Sequence, residues 1–266
     1  MVSDGVGRAR PRSSAVFSLG KPTSVFSWGI KAARYLNLKH GTDFRDFPLN
    51  RYGTNLSGMM HIYSNSPYLA AIDLIAHDSD FFECDDLQPY HMKQSPMNTW
   101  VNEAGTRNNS MAREAFKEMI TEMKQRDPSR STLDIFVNLK QKDFKEIRLP
   151  KYDVTLRGML ATFDGSLYQI IRNLVDNEEE FSEFRDMMPY DMAKSPNHTW
   201  NLKDGSKNFP LARHATRRLL DTLGVDKTDV DLALKSVGYK TFISTPIDRY
   251  GVKIASMLSL VYDFSI

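Results

Sequence analysis

Arg213, His214, Arg217 and Arg218 lie on adjacent turns of one amphipathic segment, with Lys203 and Lys207 just ahead of them. From Trp200 to Leu220 five basic side chains face a single acid, Asp204. Guanidinium and ammonium groups grouped on a helix face contact phosphate oxygens, so this cluster is the chain's strongest chemical signal. A second concentration lies at the start. Residues 1–40 carry Arg8, Arg10, Arg12, Lys21, Lys31, Arg34 and Lys39 against Asp4, a balance of +6. The formal charge of the whole chain is +2, so everything from residue 41 onward sums to 2 − 6 = −4. A mildly acidic body argues against a protein whose entire surface follows a phosphate backbone, because counterion release needs a concentrated basic face. A nucleic-acid reading therefore rests on Arg8, Arg10, Arg12, Arg213, His214, Arg217 and Arg218. The plainer alternative is a solvated helix face, or a patch that answers the acidic run Asp176, Glu178, Glu179, Glu180 and Glu183.

Other chemistries find less support. The single cysteine, Cys84, excludes an internal disulfide framework and a cysteine-based zinc cluster, and reads as a small buried apolar residue. There is no phosphate-binding glycine loop, no nucleophile motif and no ligand spacing for a metal or cofactor. No stretch approaches the roughly 18 consecutive apolar residues of a membrane span, so none is expected. Residues 1–27 are rich in Arg and Ser and nearly free of acids, which fits either an organelle-targeting presequence (mitochondrion or plastid) or a basic arm extended along RNA, DNA or a neighbouring subunit. Together these features place the protein inside a cell, in a reducing compartment, with an organelle or a virion as the specific candidates.

The elements that must position these residues come from a self-match. Residues 43–120 align with residues 143–220 without a gap, and 25 of the 78 positions are identical, where composition alone would give roughly five. Asp43, Phe44, Leu49, Tyr52, Leu56, Gly58 and Met59 recur 100 residues on, and the densest block, Pro89–Trp100, recurs as Pro189–Trp200. The shared letters are mostly Pro, Gly, Leu, Phe, Tyr and Trp, which hold structure together. Pro89, Tyr90, Trp100, Pro189, Tyr190 and Trp200 are therefore read as structural anchors. By contrast His91 is matched by Asp191, and His198 by Asn98, so neither histidine behaves as a required base.

Each aligned stretch reads as helical. Ser166-Leu-Tyr-Gln169 is a capping-box pattern behind the turn Asp164-Gly165, and Ser66 is followed by Pro67, a residue favoured at the first helical position. Tyr168, Ile171, Leu174 and Val175 keep helical spacing behind Ser166. A shorter helix is predicted over Leu156–Phe163, with Gly158 allowing close packing, and a helical turn over Asp143–Leu149. The Pro-Tyr to Thr-Trp block has no periodicity and reads as a loop, its tryptophan anchoring the next helix with the indole nitrogen on a backbone carbonyl. Gly105 and Gly205, then Asn108 and Asn208, mark a turn and a helix start. Ala112, Ala115, Phe116, Met119 and Met123 line one helix, and Ala212, Ala215, Leu219 and Leu223 the other.

Partial units flank the two stretches. Ser24–Leu36 reads as the last helix of a preceding unit. At the other end, Tyr250-Gly251-Val252 with Ile254, Met257, Leu260 and Val261 is laid on Phe163–Val175, with one residue deleted. The fold class expected is mainly α: two tandem duplicated helical modules of about 100 residues flanked by half-units, with a basic extended N-terminal arm. The divisions are 1–27 for the arm, 28–126 and 127–225 for the modules, and 226–266 for a partial module.

The order Pro-Tyr, Ser-Pro, Trp, Asn, Ala resembles an uncharacterised family of tandem helical repeats, found in bacterial proteins and in long arrays in algal and protist proteins. Its members read Pro-Trp-x-Phe, then Pro, then Trp with Asn-Arg, and a helix ending in Trp-Leu. Here Tyr90 and Tyr190 replace the family's first Trp, Met92 and Met192 replace Phe, and Arg107-Asn108 inverts Asn-Arg. The resemblance implies helical modular architecture and adds nothing about chemistry.

Two functions lead. One is a non-catalytic structural or adaptor subunit of a large assembly, a nucleoprotein, with the helical body contacting other protein subunits while the arm and the Arg213–Arg218 cluster reach RNA or DNA. The other is a pure protein–protein scaffold, an organellar or virion part, with a groove around Asp176–Asp186. An enzyme with its site between the two modules ranks third. No catalytic residue, metal or cofactor is assigned.

Overall fold

The computed structural model describes residues 61–77, 86–92, 95–96, 98–102, 104–225 and 237–262. The basic arm with Arg8, Arg10 and Arg12, the segment Ser24–Leu36, and Cys84 lie outside the described residues. The described part is mainly helical. Its β structure consists of four isolated antiparallel bridges, Val101–Arg107, Leu149–Val154, Asn201–Lys207 and Ile247–Val252.

The chain divides at Leu87–Gln88 into two compact units. In the first, Ser66 caps α1 (Pro67–His77), its hydroxyl accepting from the Leu69 amide at 3.3 Å. Pro67 takes the first turn, where its missing N–H costs nothing.

In the second unit, Asn108 caps α2 (Asn109–Arg126) by accepting from the Met111 amide at 3.3 Å. Ala112, Ala115, Phe116, Met119, Ile120 and Met123 recur every three or four residues and are all buried, which makes one apolar stripe. Then comes α3 (Thr132–Asn138), opened by a reciprocal cap: Asp134 N donates to Ser131 Oγ at 3.0 Å and Ser131 N to Asp134 Oδ2 at 3.1 Å. The short α4 (Asp143–Glu146) buries Phe144, and α5 (Arg157–Thr162) buries Met159 and Leu160. Ser166 caps α6 (Leu167–Val175) through the Gln169 amide at 3.4 Å. The box expected there is only half made, since Gln169 Oε1 instead accepts from Arg107 at 3.3 Å. Asn208 caps α7 (Phe209–Thr222) through the Leu211 amide, also at 3.3 Å. The last helices are α8 (Tyr239–Ser244) and α9 (Ala255–Val261).

Two apolar clusters form inside this unit. The first centres on Phe116, Phe136 and Phe144, with the rings of Phe116 and Phe136 6.2 Å apart and Phe136 meeting Phe184 edge-on at 5.0 Å. The second gathers Tyr190, Trp200, Leu219, Phe242, Ile247 and Met257.

Local geometry recurs between the aligned stretches. Asn108 N donates to Trp100 O at 2.9 Å and Asn208 N to Trp200 O at 2.8 Å; Gly105 and Gly205 both take positive φ, 75° and 85°. Thr99 and Thr199 are buried, each donating its hydroxyl to the carbonyl of Pro96 or Pro196 at 2.7 Å.

The last stretch departs from the expected register. The Ile247–Val252 bridge repeats Leu149–Val154, an offset of 247 − 149 = 98 residues. In that register Phe242 matches Phe144, Tyr250 matches Tyr152 and Met257 matches Met159, while the left-handed Gly251 (φ 66°) takes the place of left-handed Asp153 (φ 53°). Thus α9 corresponds to α5. The proposed match of Tyr250–Val261 to Phe163–Val175 is corrected accordingly: α5 and α6 are consecutive short helices with similar apolar spacing, and spacing alone could not tell them apart.

Candidate interaction face

Pro89 and Pro189 each open one turn of 3-10 helix, Pro89–His91 and Pro189–Asp191, inside the expected loop. The turn buries Tyr90 and Tyr190, and each stacks on its tryptophan: Tyr90 on Trp100 at 5.9 Å and Tyr190 on Trp200 at 5.6 Å between ring centroids. Trp100 Nε1 lies 2.8 Å from where a Cβ on Gly158 would be, whereas Trp200 Nε1 donates to Ser256 Oγ at 3.3 Å. Gly158 and Ser256 are equivalent in the 98-residue register. Both indoles thus meet the same point of a following short helix, and neither nitrogen reaches the backbone carbonyl that sequence reasoning assigned.

The third residue of each turn is a polar staple. His91 Nδ1 accepts from Gln88 N at 3.0 Å, and Asp191 Oδ2 from Met188 N at 2.8 Å. Each then reaches the same place on the long helix that follows. His91 Nε2 lies 2.8 Å from Glu118 Oε2, and Arg218 Nη1 donates to Asp191 Oδ2 at 2.7 Å. The pairing is kept while its polarity is reversed. A tyrosine covers each pair: Tyr152 stacks on His91 at 4.1 Å, and the guanidinium of Arg218 lies 5.4 Å from the Tyr250 ring centroid. Sequence reasoning missed these pairs. Their signal was the joint change from His91 with Glu118 to Asp191 with Arg218, equally spaced in both stretches.

Around Arg218 two carboxylates share one guanidinium. Its Nε donates to Asp248 Oδ2 at 2.6 Å and its Nη1 reaches Tyr190 Oη at 3.3 Å. Burial pushes the Tyr190 hydroxyl up to about 12, against the pull of Arg218. Burial also raises Asp191 despite its bond to Arg218. Asp186 behaves differently: burial opposes its charge, but hydrogen bonds from Tyr250 at 2.6 Å and Arg249 at 2.7 Å prevail and hold it below the usual carboxylate range.

The four candidate phosphate ligands of α7 therefore separate. Arg218 is held by Asp191 and Asp248, and His214 Nδ1 lies 2.6 Å from Tyr190 Oη. Arg213 and Arg217 are exposed and make no ion pair among the described residues. His198 shares a left-handed backbone with Asn98, φ 65° and 69°, a conformation that Asn and His tolerate better than most residues.

The positions equivalent to Arg213 and Arg217 have partners. On α2, Arg113 Nε donates to Glu178 Oε1 and Lys117 Nζ to Glu178 Oε2, both at 3.0 Å. Asn173 Nδ2 donates to Asn109 O at 2.9 Å and accepts from Arg113 at 3.4 Å. These bonds fasten α6, and the residue three positions past its end, along α2. Of the acidic run, Glu178 is answered by α2, Asp176 by Arg172 and Glu179 by Arg185, rather than by α7. Among the described residues no group of His, Cys, Asp and Glu side chains could hold a metal ion, and no helix is long and apolar enough to cross a membrane. No family model, curated protein or solved structure gives a significant match to the chain.

Proposed function

We propose that the protein is a non-catalytic structural or adaptor subunit of a large assembly. It is built from tandem copies of one helical module with partial copies at the ends, in keeping with the tandem-repeat family it resembles. The helical body makes the protein contacts and the basic arm of Arg8, Arg10 and Arg12 reaches nucleic acid, in a reducing intracellular compartment, an organelle or a virion. One observation carries this reading: the letters that the two stretches share are largely interior, with Tyr90, Trp100, Ala112 and Ala115 buried in one and Tyr190, Trp200, Ala212 and Ala215 in the other. A module copied for catalysis would instead keep its reactive polar groups alike, whereas here the polar staple changes chemistry and keeps only its pairing.

The test is purification of the native protein, with mass spectrometry and the absorbance ratio of whatever accompanies it. Protein companions together with nucleic acid, released steeply by salt and diminished by deletion of residues 1–27, are expected. A monomer that purifies alone and turns over a substrate overturns the reading. A second reading, a scaffold for proteins only, is favoured by the internal engagement of Arg218 and His214. It predicts companions free of nucleic acid and binding indifferent to Arg217→Glu.

A further inference from the structure

Arg113 and Lys117, which are partnered, and Arg213 and Arg217, which make no ion pair among the described residues, occupy the same positions on two aligned helices. On α2 they close over α6 and Glu178; on α7 they are exposed, and among the described residues no helix runs along α7 as α6 runs along α2. The surroundings correspond as well. At the start of α2, Arg107 pairs with Asp164 at 3.8 Å, just beyond the end of α5; at the start of α7, Phe209 meets Tyr262 edge-on at 6.0 Å, just beyond the end of α9. Phe209, one turn ahead of Arg213, is 44% exposed, so an aromatic ring stands at the start of this face.

We propose that this face of α7 docks an amphipathic helix of a partner protein that is followed by a carboxylate, the carboxylate sitting between Arg213 and Arg217 as Glu178 sits between Arg113 and Lys117. The inference rests on the modular reading above and gives the chemistry of one protein contact. The α2–α6 junction shows what fits: a helix capped by serine, an amide side chain at the place of Asn173 to reach the backbone at the start of the long helix, and an acid three residues past the helix end. Arg217 in place of a lysine adds a planar fork suited to a carboxylate.

The probe is a fluorescent peptide of residues 166–180 of this same chain, titrated into the full-length protein and read by anisotropy. The expected result is saturable binding that weakens about tenfold or more in the protein carrying Arg213→Glu and Arg217→Glu, a change confined to two exposed side chains. A peptide carrying Glu178→Lys should bind the natural protein poorly and regain affinity for the reversed one, which separates recognition from misfolding. Equal binding to both proteins, or no binding, overturns the proposal. Displacement of the peptide by a single-stranded oligonucleotide also overturns it and assigns the face to nucleic acid. The two proposals fail separately. Peptide binding with no companions in native material would leave this face standing and remove the assembly role, and companions alongside peptide binding indifferent to the reversal would do the opposite.

Discussion

At the scale of single residues, the pair on the Pro-Tyr turn shows how a position can change chemistry and keep its place. The side chain of Asp191 is fully buried and that of Arg218 is 13% exposed. Removing one partner of such a pair leaves an uncompensated charge, and reversing it sets a new carboxylate against both Asp191 and Asp248. Arg218→Glu should therefore destabilise the protein by about 3–5 kcal/mol in urea denaturation. Combining it with Asp191→His restores the pairing of His91 with Glu118 but leaves Asp248 as a like-charged neighbour, so it should recover part of that loss. A double variant no more stable than the single one would show that the two sites are not equivalent. In the sequence, the exchange of His91 for Asp191 was visible and rightly spoke against a required base. The matching exchange of Glu118 for Arg218 was visible too, but only the packing of the turn against the long helix shows that the two changes are one event.

At the scale of elements, local signals carried most of the helices. Serine and asparagine caps, glycine turns and apolar stripes placed α1, α2, α5, α6 and α7, because each of these is decided within a turn or two of the chain. The reading passed over α3, although Ser131 and Asp134 form its cap, since Thr132–Asn138 lies outside both aligned stretches and has no second copy there to mark it. The junction of α2 with α6 was illegible because it depends on tertiary approach. Its Glu178 is held below the usual carboxylate range, first by the hydrogen bond from Lys117 against a smaller cost of burial, then by Arg113. A depressed folded value means that the junction's contribution is complete above the unfolded value of 4.5 and is lost as pH falls through the folded one. Glu178→Gln should thus lower stability at neutral pH by about 1 kcal/mol, with the difference from the natural protein shrinking in acid. A difference that grew in acid would contradict the assignment. Gly158 makes a second test. Alanine normally favours a helix over glycine by about 1 kcal/mol, but a Cβ here would stand 2.8 Å from Trp100 Nε1. Overpacking of this kind costs about 1–3 kcal/mol, so Gly158→Ala should lower the melting temperature despite the better propensity. A rise would mean that the indole moves aside freely, as its counterpart does beside Ser256.

At the scale of the whole compact unit Gln88–Ile266, the two apolar clusters meet along one segment, where Tyr250 and Val252 turn to the first cluster between Ile247 and Ile254 of the second. Tyr250 follows the second cluster's Ile247 in the chain, yet its ring belongs to the first cluster and its hydroxyl donates to Asp186 at 2.6 Å. Arg249 reinforces the link, donating to the same Asp186 oxygen and to the Glu183 carbonyl. The self-match announced repetition but not this coupling, and the register read from spacing alone matched Tyr250 to Phe163, ahead of α6, rather than to Tyr152. In arrays of packed repeats, cooperativity depends on the interface between neighbours relative to the stability of each. Cutting a buried aromatic to alanine costs about 3–5 kcal/mol, and at this position the loss falls on the interface itself. Tyr250→Ala should therefore split the thermal unfolding of this unit into two transitions followed by calorimetry, the cluster around Trp200 melting first because it gathers fewer buried side chains. Tyr250→Phe keeps the ring and removes only the hydroxyl, so it should cost about 1–2 kcal/mol and preserve a single transition. If Tyr250→Ala still unfolds in one step with an unchanged midpoint, the clusters are coupled elsewhere, and the position of Tyr250 in the first core has no energetic weight.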